Sequence, residues 1–207
     1  MIVIAHRGAS WDAPANTIPC FELAVEQGAD YVEFDVRSAP DGSLVIAHDP
    51  VPDPPSASIP TLDETLECLR GRVGLAVEIK EEHLTEQTLA ALKRHRVDAD
   101  AVVLLSFRIG ALEQARRLRP DLRLVLHLGR PPDPAAAAEF WGVGLEDHPA
   151  EPRAIALAQS LGLATTVFTV NDPQRMRDLA ALDVAGIFTD RPALAVQTLA
   201  AYARPSP

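Results

Sequence analysis

The chain has 207 residues and a formal net charge of −10 at neutral pH. This length suits one domain with a sizeable core, and the acidic charge argues against nucleic acid or an anionic membrane surface as a partner, since both require a basic face. Hydrophobic residues make up 47% of the sequence and aromatic residues only 5%, which favours aliphatic helices packed on a central sheet.

The first residues lead directly into an apolar strand, with no basic leader and no long apolar run before it. No apolar stretch is long enough to cross a bilayer. We therefore expect a cytoplasmic protein without stable membrane association. Cys20 and Cys68 lack the spacing of metal ligands, and we interpret both as small buried hydrophobes.

The N-terminal third of the chain predicts a strand–helix–strand unit followed by a hairpin. The elements are a strand over 2–5, a helix from Asn16 or Thr17 to about Gln27, and strands over 31–36 and 44–47. Asp41-Gly42 is a turn signal that pairs the last two strands. A proline-rich loop over 49–60 follows, and Thr61 with Glu64 predicts a capping box that begins a helix to about Arg70.

From residue 74 onward, short apolar strands alternate with helices. The predicted strands cover 74–79, 102–107, 122–128, 143–147, 164–170 and 186–189. The predicted helices cover 85–96, 109–119, 134–140, 152–161, 173–182 and 192–203. Apolar, β-branched strands of this kind are typical of a parallel sheet that is buried on both faces.

Eight strands are each followed by a helix if the hairpin strand is set aside as an excursion. This pattern predicts an α/β fold, a compact (β/α)8 TIM barrel that occupies residues 1–207 as a single domain. An open doubly wound sheet is the alternative, but no glycine-rich phosphate loop of the dinucleotide or P-loop type supports it.

Polar residues gather at the carboxyl ends of the predicted strands, where such a barrel has its active site. Glu33 and Asp35 are two residues apart on one strand, so their side chains point to the same side. Adjacent carboxylates repel unless a positive charge lies between them, and hard cations prefer oxygen ligands. Together with Glu78, Glu33 and Asp35 predict a site for one divalent cation, Mg²⁺ or Ca²⁺, with Mn²⁺ possible.

Cationic and imidazole groups are expected at the same rim. Arg7 and Lys80 are suited to a phosphate group, and His6 and His48 can transfer protons near neutral pH. Together with a cation, they fit a reaction at a phosphate ester. Taken singly, each residue also fits a structural role, and their joint position favours function. The residues interpreted as structural are His83, His95, His127, His148, Asp172 and Asp190.

These motifs resemble those of the glycerophosphodiester phosphodiesterase family, in the same order and over nearly the whole chain. The principal matches are His6-Arg7-Gly8, Glu33-Phe34-Asp35, His48-Asp49, Glu78-Ile79-Lys80, Phe168-Thr169-Val170-Asn171 and Thr189-Asp190-Arg191-Pro192. The resemblance implies a barrel hydrolase that cleaves a small-molecule glycerophosphodiester to sn-glycerol 3-phosphate and an alcohol. It also implies that the 2-hydroxyl of the substrate attacks phosphorus first, which gives a cyclic phosphate that water then opens.

The family pattern implies a role for each matching residue. Its metal ligands correspond to Glu33, Asp35 and Glu78, its acid/base pair to His6 and His48, and its phosphate contacts to Arg7 and Lys80. We assign His48 as the acid to the leaving alcohol. The chain departs from the pattern at Ala15 (usually Glu), at Phe168 (often Trp) and in the short loop over 49–60, which leaves the alcohol side of the site more open.

Two other functions use the same residues. Lysophospholipase D-type cleavage of lysophospholipids would retain the chemistry, but the sequence has no evident aromatic or amphipathic membrane segment. A non-catalytic barrel that only binds a phosphate ligand would fit Ala15 and the short loop, whereas retention of both histidines and all three carboxylates argues against it. The sequence leaves the oligomeric state open.

Overall fold

A closed barrel of eight parallel strands forms the centre of the molecule. The computed structural model describes residues 1–53, 56, 59–129, 132–147 and 152–202. The strands are β1 (Ile2–Ala5), β2 (Tyr31–Ser38), β3 (Leu44–Ile46), β4 (Gly74–Ile79), β5 (Val102–Ser106), β6 (Arg123–Leu128), β7 (Gly142–Glu146), β8 (Ala164–Phe168) and β9 (Gly186–Thr189).

The barrel closes through β1, which pairs in parallel with both β2 and β9. From β9 the order continues through β8, β7, β6, β5 and β4 to β2. β3 lies outside this ring and pairs antiparallel with the end of β2, where Val36 is opposite Ile46. The predicted TIM barrel and its hairpin excursion are therefore confirmed, and the doubly wound alternative is excluded.

Helices cover the outside of the barrel. They are α1 (Ile18–Glu26), α2 (Leu62–Leu69), α3 (Thr85–Arg94), α4 (Ile109–Leu118), α5 (Pro152–Ser160), α6 (Pro173–Ala181) and α7 (Pro192–Tyr202). The predicted capping box begins α2, since the Thr61 hydroxyl accepts from the Glu64 N–H at 3.2 Å and the Glu64 carboxylate accepts from the Thr61 N–H at 2.8 Å. None of the helices in the described ranges is long and apolar enough to cross a membrane.

The prediction of a helix over 134–140 is wrong in type and length. The segment Pro134–Ala137 is a short 3-10 helix, in which backbone N–H groups reach carbonyls three residues back. Phe140 continues the same spacing by donating to the Ala137 carbonyl at 2.8 Å. Hydrogen bonds of this kind make a tighter turn with poorer geometry, so such segments stay short. His148 and Ala203, which the sequence predictions included, lie outside the described residues.

Two apolar layers hold the barrel. The larger one lies between the strands and the helices and includes Phe21, Phe34 and Leu66. The smaller one fills the barrel interior with Ile4, Ala76, Leu105, Val125 and Phe188. Because side chains alternate along a strand, the inward positions of β2 run from Tyr31 to Glu33 and Asp35. The inner layer thus changes from apolar to charged toward the carboxyl ends of the strands.

The loop after β1 depends on the absence of a side chain at Gly8. Its φ is +88°, and a Cβ there would lie 2.6 Å from Cys20 Sγ and 2.8 Å from the Cys20 carbonyl oxygen. Gly42 has a similar φ of +84°, but a Cβ there would meet no atom within 4 Å.

Gly8→Ala should lower the free energy of unfolding by about 2–4 kcal/mol, since it combines left-handed backbone strain with overpacking. Gly42→Ala is the matched control and should cost about 1 kcal/mol, because only the backbone term applies. Urea unfolding of both variants measures the difference. Equal losses would show that Cys20 can move aside at no cost.

Candidate active site

Three buried carboxylates converge at the carboxyl end of the barrel. Glu33 and Asp35 come from β2 and Glu78 from β4, and the strand register places Asp35 directly opposite Glu78. One oxygen from each of the three lies within 4.8 Å of the others. This grouping follows from two strand rules, alternation along β2 and parallel pairing with β4.

Positive and polar groups surround this triad. Lys80 Nζ lies 2.7 Å from Glu78 Oε1 and 3.2 Å from Asp35 Oδ1. The Arg7 N–H donates to Glu33 Oε2 at 2.8 Å, and Arg7 Nε lies 3.2 Å from Asp35 Oδ2. Asn16 Nδ2 donates to the same Asp35 oxygen at 2.8 Å. The sequence indicated only a helix-capping role for Asn16, whereas in the structure its side chain binds one of the three carboxylates.

Two residues reach the triad from strained backbone. Arg7 has a φ of +57° and Asn16 a φ of +59°. Left-handed conformations cost about 1–2 kcal/mol for residues with a side chain and persist where the surrounding structure stabilises them. Here the stabilising contacts are those with the buried carboxylates and the bond from the Asn16 N–H to the Arg7 carbonyl at 3.0 Å.

The three carboxyl groups differ in their electrostatics. Burial, together with the charges of Asp35 and Glu78, raises the pKa of Glu33 well above its usual value. Burial and Asp35 also raise the pKa of Glu78. Burial opposes ionisation of Asp35 too, but Lys80, Asn16 and Arg7 outweigh it and hold the pKa of Asp35 below its usual range.

The triad fits a divalent cation. Its donors are all carboxylate oxygens, the ligand type that Mg²⁺ and Ca²⁺ prefer. Asp35 Oδ1 is buried and accepts no well-directed hydrogen bond in the described part of the chain, although Lys80 lies nearby. A cation among the three groups would offset the repulsion that raises the pKa of Glu33.

His6 is held by a residue that the sequence analysis treated as a turn residue. Its Nδ1 lies 2.7 Å from Asp190 Oδ1, and Asp190 follows β9, the neighbour of β1 in the closed barrel. Asn171 Nδ2 donates to Asp190 Oδ2 at 2.6 Å, and the Ser10 hydroxyl donates to Asp190 Oδ1 at 2.9 Å. The position of Asp190 directly after a predicted barrel strand is the feature of the sequence that indicates a role at this rim.

His48 lies on the other side of the triad and is more exposed. Its side chain is 42% exposed, compared with 21% for His6, and its Nδ1 lies 2.9 Å from Asp49 Oδ1. The Arg37 side chain, which pairs with Glu81, donates to the His48 carbonyl at 2.7 Å. Each histidine therefore has its Nδ1 bound to an aspartate, which leaves Nε2 available.

The convergent groups line a cavity of about 160 Å³. Six of the seven predicted site residues line it, namely His6, Arg7, Glu33, His48, Glu78 and Lys80. Asp35 is fully buried and contacts Lys80 and Arg7. A larger groove on the outside of the barrel, lined by Thr61, Asp63 and Arg94 among others, contains none of these seven residues.

Aromatic residues form another wall of the cavity, and His127 is among them. The other rings are Phe107, Phe168 and Phe188. Our interpretation of His127 as a structural hydrogen-bonder is wrong, because both of its ring nitrogens are buried without a partner in the described ranges. Burial, followed by the charges of Lys80 and His6, lowers the pKa of His127 to about 3.

Other polar residues do have the structural roles expected. His95 Nε2 lies 2.7 Å from Asp63 Oδ1, and this pair links α3 to α2. Asp172 accepts a hydrogen bond from the Arg175 N–H and caps α6.

The fold and the site define a TIM-barrel enzyme equipped for chemistry at a phosphate ester. A model of the glycerophosphoryl diester phosphodiesterase family matches residues 6–73 and 52–194. A glycerophosphodiester phosphodiesterase from Caldanaerobacter subterraneus subsp. tengcongensis is 27% identical to this chain, over 92% of the chain and 94% of that protein.

Solved structures agree with this match. The crystal structure of a glycerophosphodiester phosphodiesterase from Parabacteroides distasonis has a TM-score of 0.87 and 25% identity and covers 98% of each chain. An Oleispira antarctica phosphodiesterase in complex with the product sn-glycerol-3-phosphate has a TM-score of 0.86 and 26% identity, over 97% of each chain. The chain therefore belongs to the glycerophosphoryl diester phosphodiesterase family and is an enzyme of that class.

Asp190→Asn should destabilise the protein in a pH-dependent way. Burial opposes ionisation of Asp190, but hydrogen bonds from His6, Asn171 and Ser10 outweigh it and lower the pKa of Asp190 from 3.8 to about 2. A depressed folded-state pKa contributes about 2 kcal/mol of stability above pH 4, and this contribution is lost as the pH falls toward 2.

Chemical unfolding at several pH values measures the difference in free energy of unfolding between wild type and Asp190→Asn. The gap between wild type and Asp190→Asn should be largest at neutral pH and should narrow between about pH 4 and pH 2. The control is Asp98→Asn, at an exposed carboxylate that makes no side-chain hydrogen bond in the described ranges. It should change the free energy of unfolding by less than about 0.5 kcal/mol. A gap for Asp190→Asn that stays constant with pH would contradict the electrostatic explanation.

Proposed function

We propose that this enzyme hydrolyses small glycerophosphodiesters to sn-glycerol 3-phosphate and an alcohol, with one divalent cation bound by Glu33, Asp35 and Glu78. The observation that carries the proposal is the convergence of three buried carboxylates within 4.8 Å, beside Lys80 and Arg7, in a cavity that two histidines also line. The product found in the Oleispira antarctica phosphodiesterase supports the choice of substrate.

Charge on the phosphate is neutralised from several directions. When bound, a divalent cation supplies Lewis-acid stabilisation of charge on the non-bridging phosphate oxygens. Lys80 and Arg7 line the same cavity and add positive charge at its base. The Arg7 side chain is aimed by its contact with Asp35, and its backbone N–H is fixed by Glu33, whereas Lys80 is aimed by its contact with Glu78. Preorganised charges of this kind stabilise the transition state without further rearrangement.

The two histidines transfer protons in opposite directions. With Nδ1 of His6 bound to Asp190, its Nε2 accepts the proton of the substrate's 2-hydroxyl as that oxygen attacks phosphorus. The bond from phosphorus to the leaving oxygen breaks as His48 donates a proton to the departing alcohol. Water then gives a proton to His48 and opens the cyclic phosphate, while His6 returns its proton to the 2-oxygen. One water is consumed, and both histidines regain their starting states.

Removal of divalent cations should abolish activity and lower stability together. Release of glycerol 3-phosphate from glycerophosphocholine should stop in excess chelator and return with Mg²⁺, Ca²⁺ or Mn²⁺. Binding to the folded state also stabilises it, by about 2.7 kcal/mol when the cation is at a hundredfold excess over its Kd. Thermal unfolding with and without each cation measures this effect.

A matched pair of variants tests the proposed ligands. Glu33→Gln should abolish the cation-dependent shift in melting temperature, whereas Glu86→Gln, at an exposed position on α3, should retain it. Full activity in excess chelator would refute the metal dependence. Ligand binding without any product release would instead favour a non-catalytic barrel.

His48→Ala should affect substrates according to their leaving groups. A choline ester has a poor leaving group that needs a proton, so its turnover should fall by about 10²–10⁴-fold. A 4-nitrophenyl ester of glycerol phosphate needs little protonation and should lose less than about tenfold. His83→Ala, at an exposed histidine outside the cavity, is the control and should leave both rates unchanged. Equal losses on both esters after His48→Ala would refute its role as the acid.

Lysophospholipids are the second candidate substrates. Phe107 lines the cavity and is 45% exposed, and Trp11, in the loop after β1, is 62% exposed and stacks with Arg191. Exposed rings at the cavity and in this loop could contact an acyl chain. Parallel assays on glycerophosphocholine and lysophosphatidylcholine distinguish the two functions, and we expect the soluble diester to be preferred.

A further inference from the structure

His127 is a buried polar residue at the active-site cavity whose hydrogen-bonding capacity is unused. It lies near the carboxyl end of β6 and is only 5% exposed. Neither ring nitrogen has a partner in the parts of the chain that the structure describes. Buried polar atoms are almost always paired, and an unpaired one costs about 1–3 kcal/mol. His127 also lines the cavity, so a small tilt of the ring would let a bound molecule supply the missing partner.

The surroundings of His127 are mainly aromatic rings. It stacks on Phe168 with 4.5 Å between ring centroids, and the rings of Phe107 and Phe188 meet it edge-on at 5.2 Å. Gly144 on the neighbouring strand leaves space for it, since a Cβ there would lie 2.7 Å from His127 Nε2. The ring therefore forms part of an aromatic wall, and its nitrogens are the only side-chain hydrogen-bonding atoms of these four rings.

We propose that His127 is a specificity-determining residue that hydrogen-bonds the terminal hydroxyl of the substrate's glycerol moiety. A neutral imidazole offers one donor and one acceptor, and a hydroxyl offers the same complement. The carbon-bound hydrogens of glycerol would pack on the rings of Phe107 and Phe168. A quaternary ammonium group such as choline makes no such hydrogen bonds and would leave His127 unsatisfied.

The strand order indicates which end of the substrate meets this wall. His48 follows β3 and lies beside β2, whereas His127, Phe168 and Phe188 are on β6, β8 and β9. If His48 protonates the leaving alcohol, the glycerol moiety extends toward the other side of the barrel. The 2-hydroxyl is needed to attack phosphorus, so the terminal hydroxyl remains for His127. This inference rests on the function proposed above.

The test compares two substrates that differ by one hydroxyl group. Glycerophosphocholine has the terminal hydroxyl, and the phosphocholine diester of propane-1,2-diol lacks it but keeps the 2-hydroxyl. Wild-type kcat/KM should be at least about tenfold higher for the glycerol ester, since loss of a hydrogen bond to a buried group is costly. His127→Phe should remove this preference by lowering kcat/KM for the glycerol ester alone.

Two further variants separate hydrogen bonding from packing. His127→Asn keeps a donor and an acceptor and should retain part of the preference. Phe107→Leu removes a ring from the wall but keeps the Phe168 ring stacked on His127, and it should lower kcat/KM for both esters by the same factor. Circular dichroism and melting temperature establish that each variant is folded.

The outcomes distinguish this inference from the proposed function. Equal wild-type kcat/KM for the two esters would overturn the role of His127, whatever the stability of the variants. An equal loss on both esters after His127→Phe would also overturn it and assign the residue to packing. Absence of glycerol 3-phosphate release from the wild-type enzyme would overturn the proposed function, and with it the glycerol assignment.

Discussion

The mutual repulsion of three buried carboxylates is the constraint around which this active site is built. Glu33, Asp35 and Glu78 lie within 4.8 Å of one another, almost without solvent. Lys80 and Arg7 offset part of that repulsion, but burial, together with the charges of Asp35 and Glu78, still raises the pKa of Glu33. An arrangement with excess negative charge of this kind is suited to a divalent cation. Its positive charge would neutralise the negative charge that Lys80 and Arg7 do not balance.

The rest of the barrel serves to hold this arrangement in place. Parallel pairing of β2 with β4 sets the spacing of Asp35 and Glu78, and the loop after β1 adopts positive φ angles to bring Arg7 and Asn16 to the carboxylates. Closure of the barrel places Asp190, near the C-terminus, beside His6. The groups of the candidate site thus come from distant parts of the sequence, and the closed sheet brings them to one rim.

Opposite the charged groups, the cavity is lined by aromatic rings. Phe107, Phe168 and Phe188 have no hydrogen-bonding side-chain atoms, so the polar side chains among these rings are Thr169 and the neutral imidazole of His127. This division matches a substrate with an anionic phosphate and a small polyol. In the functions proposed above, the histidine whose charged form is suppressed by burial takes part in recognition, and His6 and His48 take part in proton transfer.

Local rules were sufficient to predict most elements and the charged part of the site. Alternation along a strand places Glu33 and Asp35 on one face, and the regular strand–helix pattern indicates the barrel and the rim at which Glu78 and Lys80 join them. The segment over 134–140 differs from its prediction because Asp133 and Pro134 signal the start of a helix without fixing its type or length.

The sequence by itself determined which charged residues gather at the candidate site, because charge, side-chain type and period-two spacing are local properties. Only the tertiary structure decided the partners of those residues. The contact between His6 and Asp190 joins positions 184 residues apart and requires β1 to pair with β9. The position of His127 requires the space left by Gly144 on the adjacent strand. Both depend on which side chains the closed barrel and its strand register bring side by side, and these pairings join residues far apart in the sequence.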